Sequence, residues 1–155
     1  MQNNPPGLDS LTDHVLPLVA DAHVVGAVFL NGTPVLVQSD GAVWFGDGSD
    51  EARRIAAHAD GAVLSWASNG DSFFTGGDDG KVAAISSTGA VSDIADEKGK
   101  WIDAVACGPD GAVAWSSGKN VRVRSGKGHI KSWNAPSSVR GLVFAPKGYR
   151  IGIAH

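Results

Sequence analysis

The sequence predicts an all-β fold built from repeated antiparallel sheets, on three observations. First, four Xaa-Gly pairs recur in like settings: Asn31-Gly32, Asn69-Gly70, Asp110-Gly111 and Lys147-Gly148, at spacings of 38, 41 and 37 residues. Each pair joins two short runs of apolar and small residues, the pattern of a hairpin whose turn needs positive φ. Second, 21 glycines and a charged fraction of only 19% suit short strands and many tight turns. Third, no segment sustains a helical period; the best candidate, residues 50–57, is short and overlaps an expected strand. A strand–turn–strand period near forty is that of a β-propeller blade. At about forty residues per blade, the 155 residues give about three and a half four-stranded blades, so the expected fold is a partial β-propeller.

The elements follow in order. Residues 1–21 read as a lead-in, with turn material in Asn3-Asn4-Pro5-Pro6-Gly7 and a possible short strand over 16–19. Residues 22–155 form the incomplete propeller, with blades near 22–57, 58–99, 100–135 and a partial one over 136–155. In the first, strands are expected over 24–30, 35–38 and 42–45, with an outer one around Arg53-Arg54-Ile55 and turns at Asp40-Gly41 and Gly46-Asp47-Gly48. In the second they fall over 62–67, 72–75, 81–86 and 91–94. The third takes 102–107, 112–116, 120–124 and 129–133, and the fourth 139–144 and 150–154. The last unit stops after its second expected strand. The chain is therefore expected to be the N-terminal part of a longer propeller, or part of an assembly that another chain completes.

Thirteen basic and sixteen acidic residues leave a net charge of −3, which argues against nucleic acid as a partner. The one basic concentration, Lys119, Arg122, Arg124, Lys127, His129 and Lys131, alternates with valines like a solvated blade edge. No apolar stretch is long enough for a membrane-spanning helix, and Met1 to Gly7 lacks a basic signal region. A single cysteine, Cys107, rules out an internal disulfide and reads as a small buried thiol. A cytoplasmic setting is expected.

Several ordered motifs resemble those of the WD-repeat β-propeller family, in a diverged bacterial form. Ala57-His58 opens the second unit. The Asn69-Gly70 turn, then Thr75-Gly76-Gly77-Asp78-Asp79-Gly80 and the strand from Lys81 to Ile85, follow in the family's order. Gly108-Pro109-Asp110-Gly111, Ser116-Ser117-Gly118 and Asn120-Val121-Arg122-Val123 repeat that order, and Phe144-Ala145-Pro146-Lys147-Gly148 begins it again. The resemblance implies a structural network of His58, Thr75 and Asp79, joined in the family by a Trp where Ile85 stands here. It also implies a non-enzymatic scaffold that displays loops to a protein or peptide partner, without cofactor.

The residues themselves give little chemistry. The five histidines, His14, His23, His58, His129 and His155, are not spaced as metal ligands, and His23 and His58 read as structural histidines at blade junctions. Asp78-Asp79-Gly80 lacks the alternating oxygen ligands of a calcium loop. No nucleophile elbow, phosphate loop or carboxylate pair is present. Loops from outer to inner strands, together with the turns between the middle strands, are expected on one rim. They would carry Trp101, Lys100, Asp78, Lys119 and Trp133, an aromatic anchor among mixed charges. The competing reading folds both tryptophans back onto neighbouring blades. Two other functions stay open: an enzyme or small-ligand binder using a central channel, and a structural piece without independent activity. Open inter-blade faces would also favour self-association.

Overall fold

The computed structural model describes residues 10–15, 17, 19–46 and 52–155. The described residues form fourteen strands in four antiparallel meanders. The first sheet is β1 (Val24–Leu30), β2 (Thr33–Gln38), β3 (Ala42–Phe45) and β4 (Arg53–Ala56). The second is β5 (Val63–Ser68), β6 (Phe73–Gly77), β7 (Lys81–Ile85) and β8 (Val91–Asp96). The third is β9 (Ala104–Cys107), β10 (Val113–Ser117), β11 (Asn120–Arg124) and β12 (Ile130–Asn134). The fourth holds two strands, β13 (Gly141–Phe144) and β14 (Ile151–Ala154). This is a partial β-propeller of about three and a half blades, as the turn spacing predicts.

Turn chemistry sets these boundaries. Asn31 and Gly32 both adopt positive φ, 48° and 80°, so a two-residue link closes β1 onto β2 in the hand that matches strand twist. The helical candidate over 50–57 is instead a strand at Arg53–Ala56, paired along β3 from Ala42↔Ala56 to Phe45↔Arg53; cross-strand pairing overrides a weak local pattern. The turn expected at Gly46-Asp47-Gly48, the Asn3–Gly7 coil and residues 16 and 18 of the lead-in strand lie wholly or partly outside the described residues. Two inner strands start two residues later than expected. In the third blade, Ile102 N–H reaches across to Gly77 O at 3.1 Å in the preceding sheet before β9 begins.

The core lies between sheets, because each sheet buries a face on its neighbour. Leu30, Val35, Val37 and Phe45 meet Val63, Phe73 and Ile85 between the first and second blades. Phe74 and Val82 meet Ile102, Val105, Val113 and Trp115 between the second and third. Val121 and Val139, with Leu142 and Ile153, fill the last junction. Close backbone approach fixes the spacing. A Cβ at Gly26 would overlap the Trp66 indole, and one at Gly108 would lie 2.7 Å from the Phe144 ring.

Candidate functional site

The loops that leave each outer strand are stitched to the turns between the middle strands. Gly41 O accepts from the N–H groups of Ala57 (3.0 Å) and His58 (2.8 Å). Gly80 O accepts from Glu97 N–H (2.8 Å), and Lys119 O from Ala135 N–H (2.8 Å). These bonds create one loop-bearing edge per sheet, with equivalent buried positions at Ala57, Glu97 and Ala135.

At the first junction His58, Thr75 and Asp79 come together. The His58 ring is buried. Its Nδ1 lies 3.0 and 3.1 Å from the Asp79 oxygens, and its Nε2 lies 2.9 Å from Thr75 Oγ1. A proton on Nδ1 donates to the carboxylate and leaves Nε2 to accept from the threonine hydroxyl. Asp79 Oδ1 also accepts from Lys81 N–H at 3.0 Å. A Cβ at Gly77 would press on His58 Nδ1 and Asp79 Oδ1, so glycine gives the network its space. His23 is not the counterpart of His58. Sheets repeat at the offset from Gly41 to Gly80, which matches His58 with Val19, and His23 is exposed.

At the second junction the sequence reading missed the main polar group. Glu97 is buried, and its Oε1 accepts from Trp115 Nε1–H at 2.8 Å and Arg122 Nη1–H at 2.7 Å. Trp115 is itself fully buried, so its N–H requires an acceptor. The signal available in the sequence is a carboxylate in a column otherwise holding alanine, upstream of a strand Trp and Arg.

Of the rim residues, Trp101 and Lys100 sit in the loop between Glu97 and Asp103. Trp101 is 62% exposed, while Ile102 beside it is fully buried. The loop is braced on both sides. Ile102 bonds Gly77 of the second blade, and Asp103 Oδ2 accepts from Gly118 N–H of the third at 2.6 Å. At its start Asp96 accepts from Lys98 N–H (2.7 Å) and Nζ (3.1 Å). Those backbone and ammonium bonds from Lys98 hold the Asp96 carboxyl below its usual range. Lys119 is exposed in the adjoining turn. Asp78 is in its turn too, but its Oδ1 is engaged by Ala62 N–H at 2.7 Å. Trp133, expected to end the outer strand 129–133 and open the rim segment, stands on the strand side of that boundary. It lies within β12, whose pairing runs to Asn134, and it lines a groove of about 380 Å³ with His129, Lys131, Phe144, Tyr149 and Ile151. Strand pairing turns its indole toward the fourth sheet, away from the Trp101 loop.

Among the described residues, no three His, Cys, Asp or Glu side chains cluster to hold a metal, and no helix is long and apolar enough to cross a membrane.

No family model and no curated protein matches the chain, so the WD-repeat resemblance stays at the level of motif order. Solved structures do match. One of them, a streptogramin B lyase structure, superposes with a TM-score of 0.63 at 11% identity, over 76% of this chain and 43% of its own length. This chain thus spans less than half of that neighbour. At such identity the likeness carries the fold, a β-propeller-like architecture, and 232 solved chains match, so it selects no single chemistry. It does correct one expectation. The motif resemblance to scaffold repeats implies a non-enzymatic chain; a neighbour of the same architecture is a lyase, and the fold therefore gives no ground for excluding catalysis.

Proposed function

We propose that this chain is a WD-repeat-like interaction platform that presents the rim between its second and third blades to a protein or peptide. The observation that carries this reading is Trp101. A large indole stands 62% exposed, next to a fully buried Ile102, in a loop bonded to both flanking sheets. Holding an aromatic side chain in water forgoes its burial, about 2 kcal/mol, and a braced loop keeps low the ordering cost on binding. Exposed Lys100 and Lys119 supply a cationic surround, which favours a partner segment with an apolar or aromatic residue beside acidic ones. The His58–Thr75–Asp79 network supports the WD-like assignment, and the lone thiol of Cys107 suits a cytoplasmic setting.

The test is a peptide library panned against the protein. Peptides that bind should carry an apolar residue flanked by Asp or Glu, and Trp101→Ala should weaken them at least tenfold with an unchanged melting temperature. If Trp101→Ala lowers the melting temperature and leaves binding per folded molecule intact, the indole belongs to the fold and the reading fails.

A second reading rests on a hollow of about 260 Å³ between inner strands, lined by Ser65, Trp66, Asp103, Ala104 and Leu142. It would take a small ligand, in keeping with the lyase neighbour. Its carboxylate, Asp103, already accepts from Gly118 N–H, so the rim is favoured.

A further inference from the structure

Two turns carry the same Asn-Gly pair at the same place on their sheets. Asn31-Gly32 joins β1 to β2, and Asn69-Gly70 joins β5 to β6. Both asparagines are exposed. The space around both glycines is open: a Cβ at Gly32 or at Gly70 would meet nothing within 4 Å. The second turn belongs to a sheet flanked by two complete ones, so an open tip is a property of this edge of the fold. Both glycines adopt positive φ, 80° and 94°, and with no Cβ neither shields its own N–H.

Hydrogen bonding separates the two pairs. Asn69 Oδ1 accepts from the N–H groups of Asp71 at 3.2 Å and Ser72 at 2.8 Å, the local turn that an asparagine side chain closes with its own backbone. The Gly70 N–H donates to Ser68 Oγ at 3.1 Å. The carboxamide and the N–H that follows it are therefore both held. Among the described residues, no hydrogen bond reaches the Asn31 carboxamide or the Gly32 N–H. What ties Asn31 down is its backbone N–H, which donates to Gly70 O at 2.7 Å and joins the tip of the first sheet to the second.

A free asparagine carboxamide beside an unhindered glycine N–H is a reactive pair. When base removes the Gly32 amide proton, its nitrogen attacks Asn31 Cγ. The bond from that nitrogen to Cγ forms, the bond from Cγ to the carboxamide nitrogen breaks, and ammonia leaves after taking up a proton. The product is a cyclic succinimide. Water opens the ring at Cγ to give aspartate, or at the main-chain carbonyl to give isoaspartate. In sum water is consumed and ammonia released, and nothing is oxidised or reduced.

We propose that Asn31 is a site of spontaneous deamidation through Gly32, and that the hydrogen bonds around Asn69 protect the equivalent pair. The isoaspartate product inserts a methylene into a link whose ends are fixed by the Leu30↔Thr33 pair. It displaces the N–H that reaches Gly70 and loosens the seam between the first two sheets at this tip.

The test incubates the purified protein at mildly alkaline pH, native and in urea, in water enriched in heavy oxygen. Peptide mass spectrometry follows both Asn-Gly pairs. Native Asn31 should convert at least tenfold faster than native Asn69, to aspartate and isoaspartate that carry the heavy oxygen. In urea, which releases the bonds at Asn69, the two should convert at similar rates. Equal native rates overturn the proposal. So does a tenfold gap that persists in urea, which would place the difference in the neighbouring residues and not in the fold. Hydrogen exchange in β1 and β2 should quicken in the aged protein, and exchange unchanged from fresh protein overturns the loosened seam. None of these readouts involves peptide binding, so they stand or fail separately from the role of Trp101.

Discussion

The junction between the first and second blades and the one between the second and third meet the same demand with different chemistry. In both, the loop leaving an outer strand is pinned by its backbone to a glycine carbonyl, Gly41 in one and Gly80 in the other. In the first, the buried polar group follows one residue later: His58, held by Asp79 and Thr75 within the second sheet. In the second, it sits at the pinned position itself: Glu97, which bonds Trp115 and Arg122 of the next sheet. The His58 network stiffens the second blade internally, whereas Glu97 crosses between blades. Relative stability of the two junctions should therefore respond to different substitutions.

The largest effect is expected at Glu97. Glu97→Ala leaves the buried Trp115 N–H without its acceptor and Arg122 without its carboxylate partner, its Nε still donating to Asn120 Oδ1. Arg122 is partly exposed, 39%, so its charge is screened by water and most of the loss falls on the indole. Stability should drop by about 3 kcal/mol, from the orphaned buried donor and the lost charge-assisted bond. Glu97→Gln, which retains an acceptor oxygen, should drop less. Chemical denaturation followed by Trp fluorescence measures both. Equal losses for the two would mean that size, not hydrogen bonding, is what Glu97 contributes.

Asp79→Ala comes next, at about 2 kcal/mol, because it strands His58 Nδ1 in a buried site and frees Lys81 N–H. Its effect should be confined to the second blade. Hydrogen exchange should therefore quicken across β6 and β7 and not across β10 and β11, with the reverse pattern for Glu97→Ala. Exchange quickened equally in all four strands by either variant would erase the distinction between an internal brace and a bridging one.

The contrast also shows what the sequence could disclose. Turn glycines lie at the residues that set them, so strand limits such as 42–45 and 120–124 are readable locally. His58, Thr75 and Asp79 fall within 22 residues and in a known order, so their meeting could be anticipated. Glu97 is embedded in Asp96-Glu97-Lys98-Gly99-Lys100, which has the composition of a solvated loop. Its burial depends on the third sheet folding over it, and no local pattern carries that. The seating of Trp66 on Gly26 is equally silent, because its partners lie forty positions apart and glycine has many other uses. The side that Trp133 faces is silent for a related reason. Aromatic residues near a strand end look alike until pairing with β11 decides which way each one points.

The smallest effect supplies the sharpest probe. Cys107 ends β9 at the second junction, half-buried, with Sγ 3.8 Å from Ser72 O in the preceding sheet. Burial pushes its thiol up to about 12, against a smaller opposing pull from the Asn69 backbone. The folded state thus holds the proton more tightly than the unfolded chain. Its contribution to stability is complete below about pH 9 and declines as pH climbs toward 12. Near neutral pH almost no thiolate forms while the junction is closed, so reaction with a disulfide reagent must wait for opening. Labelling at pH 8 should then be slow in the wild type. It should accelerate at least tenfold in Glu97→Ala, which loosens the contact that Cys107 shares, and change little in Asp79→Ala, whose cost falls inside its own blade. Should Asp79→Ala accelerate labelling as much as Glu97→Ala, the two junctions open together, and the propeller's sheets behave as one cooperative unit instead of separately braced pairs.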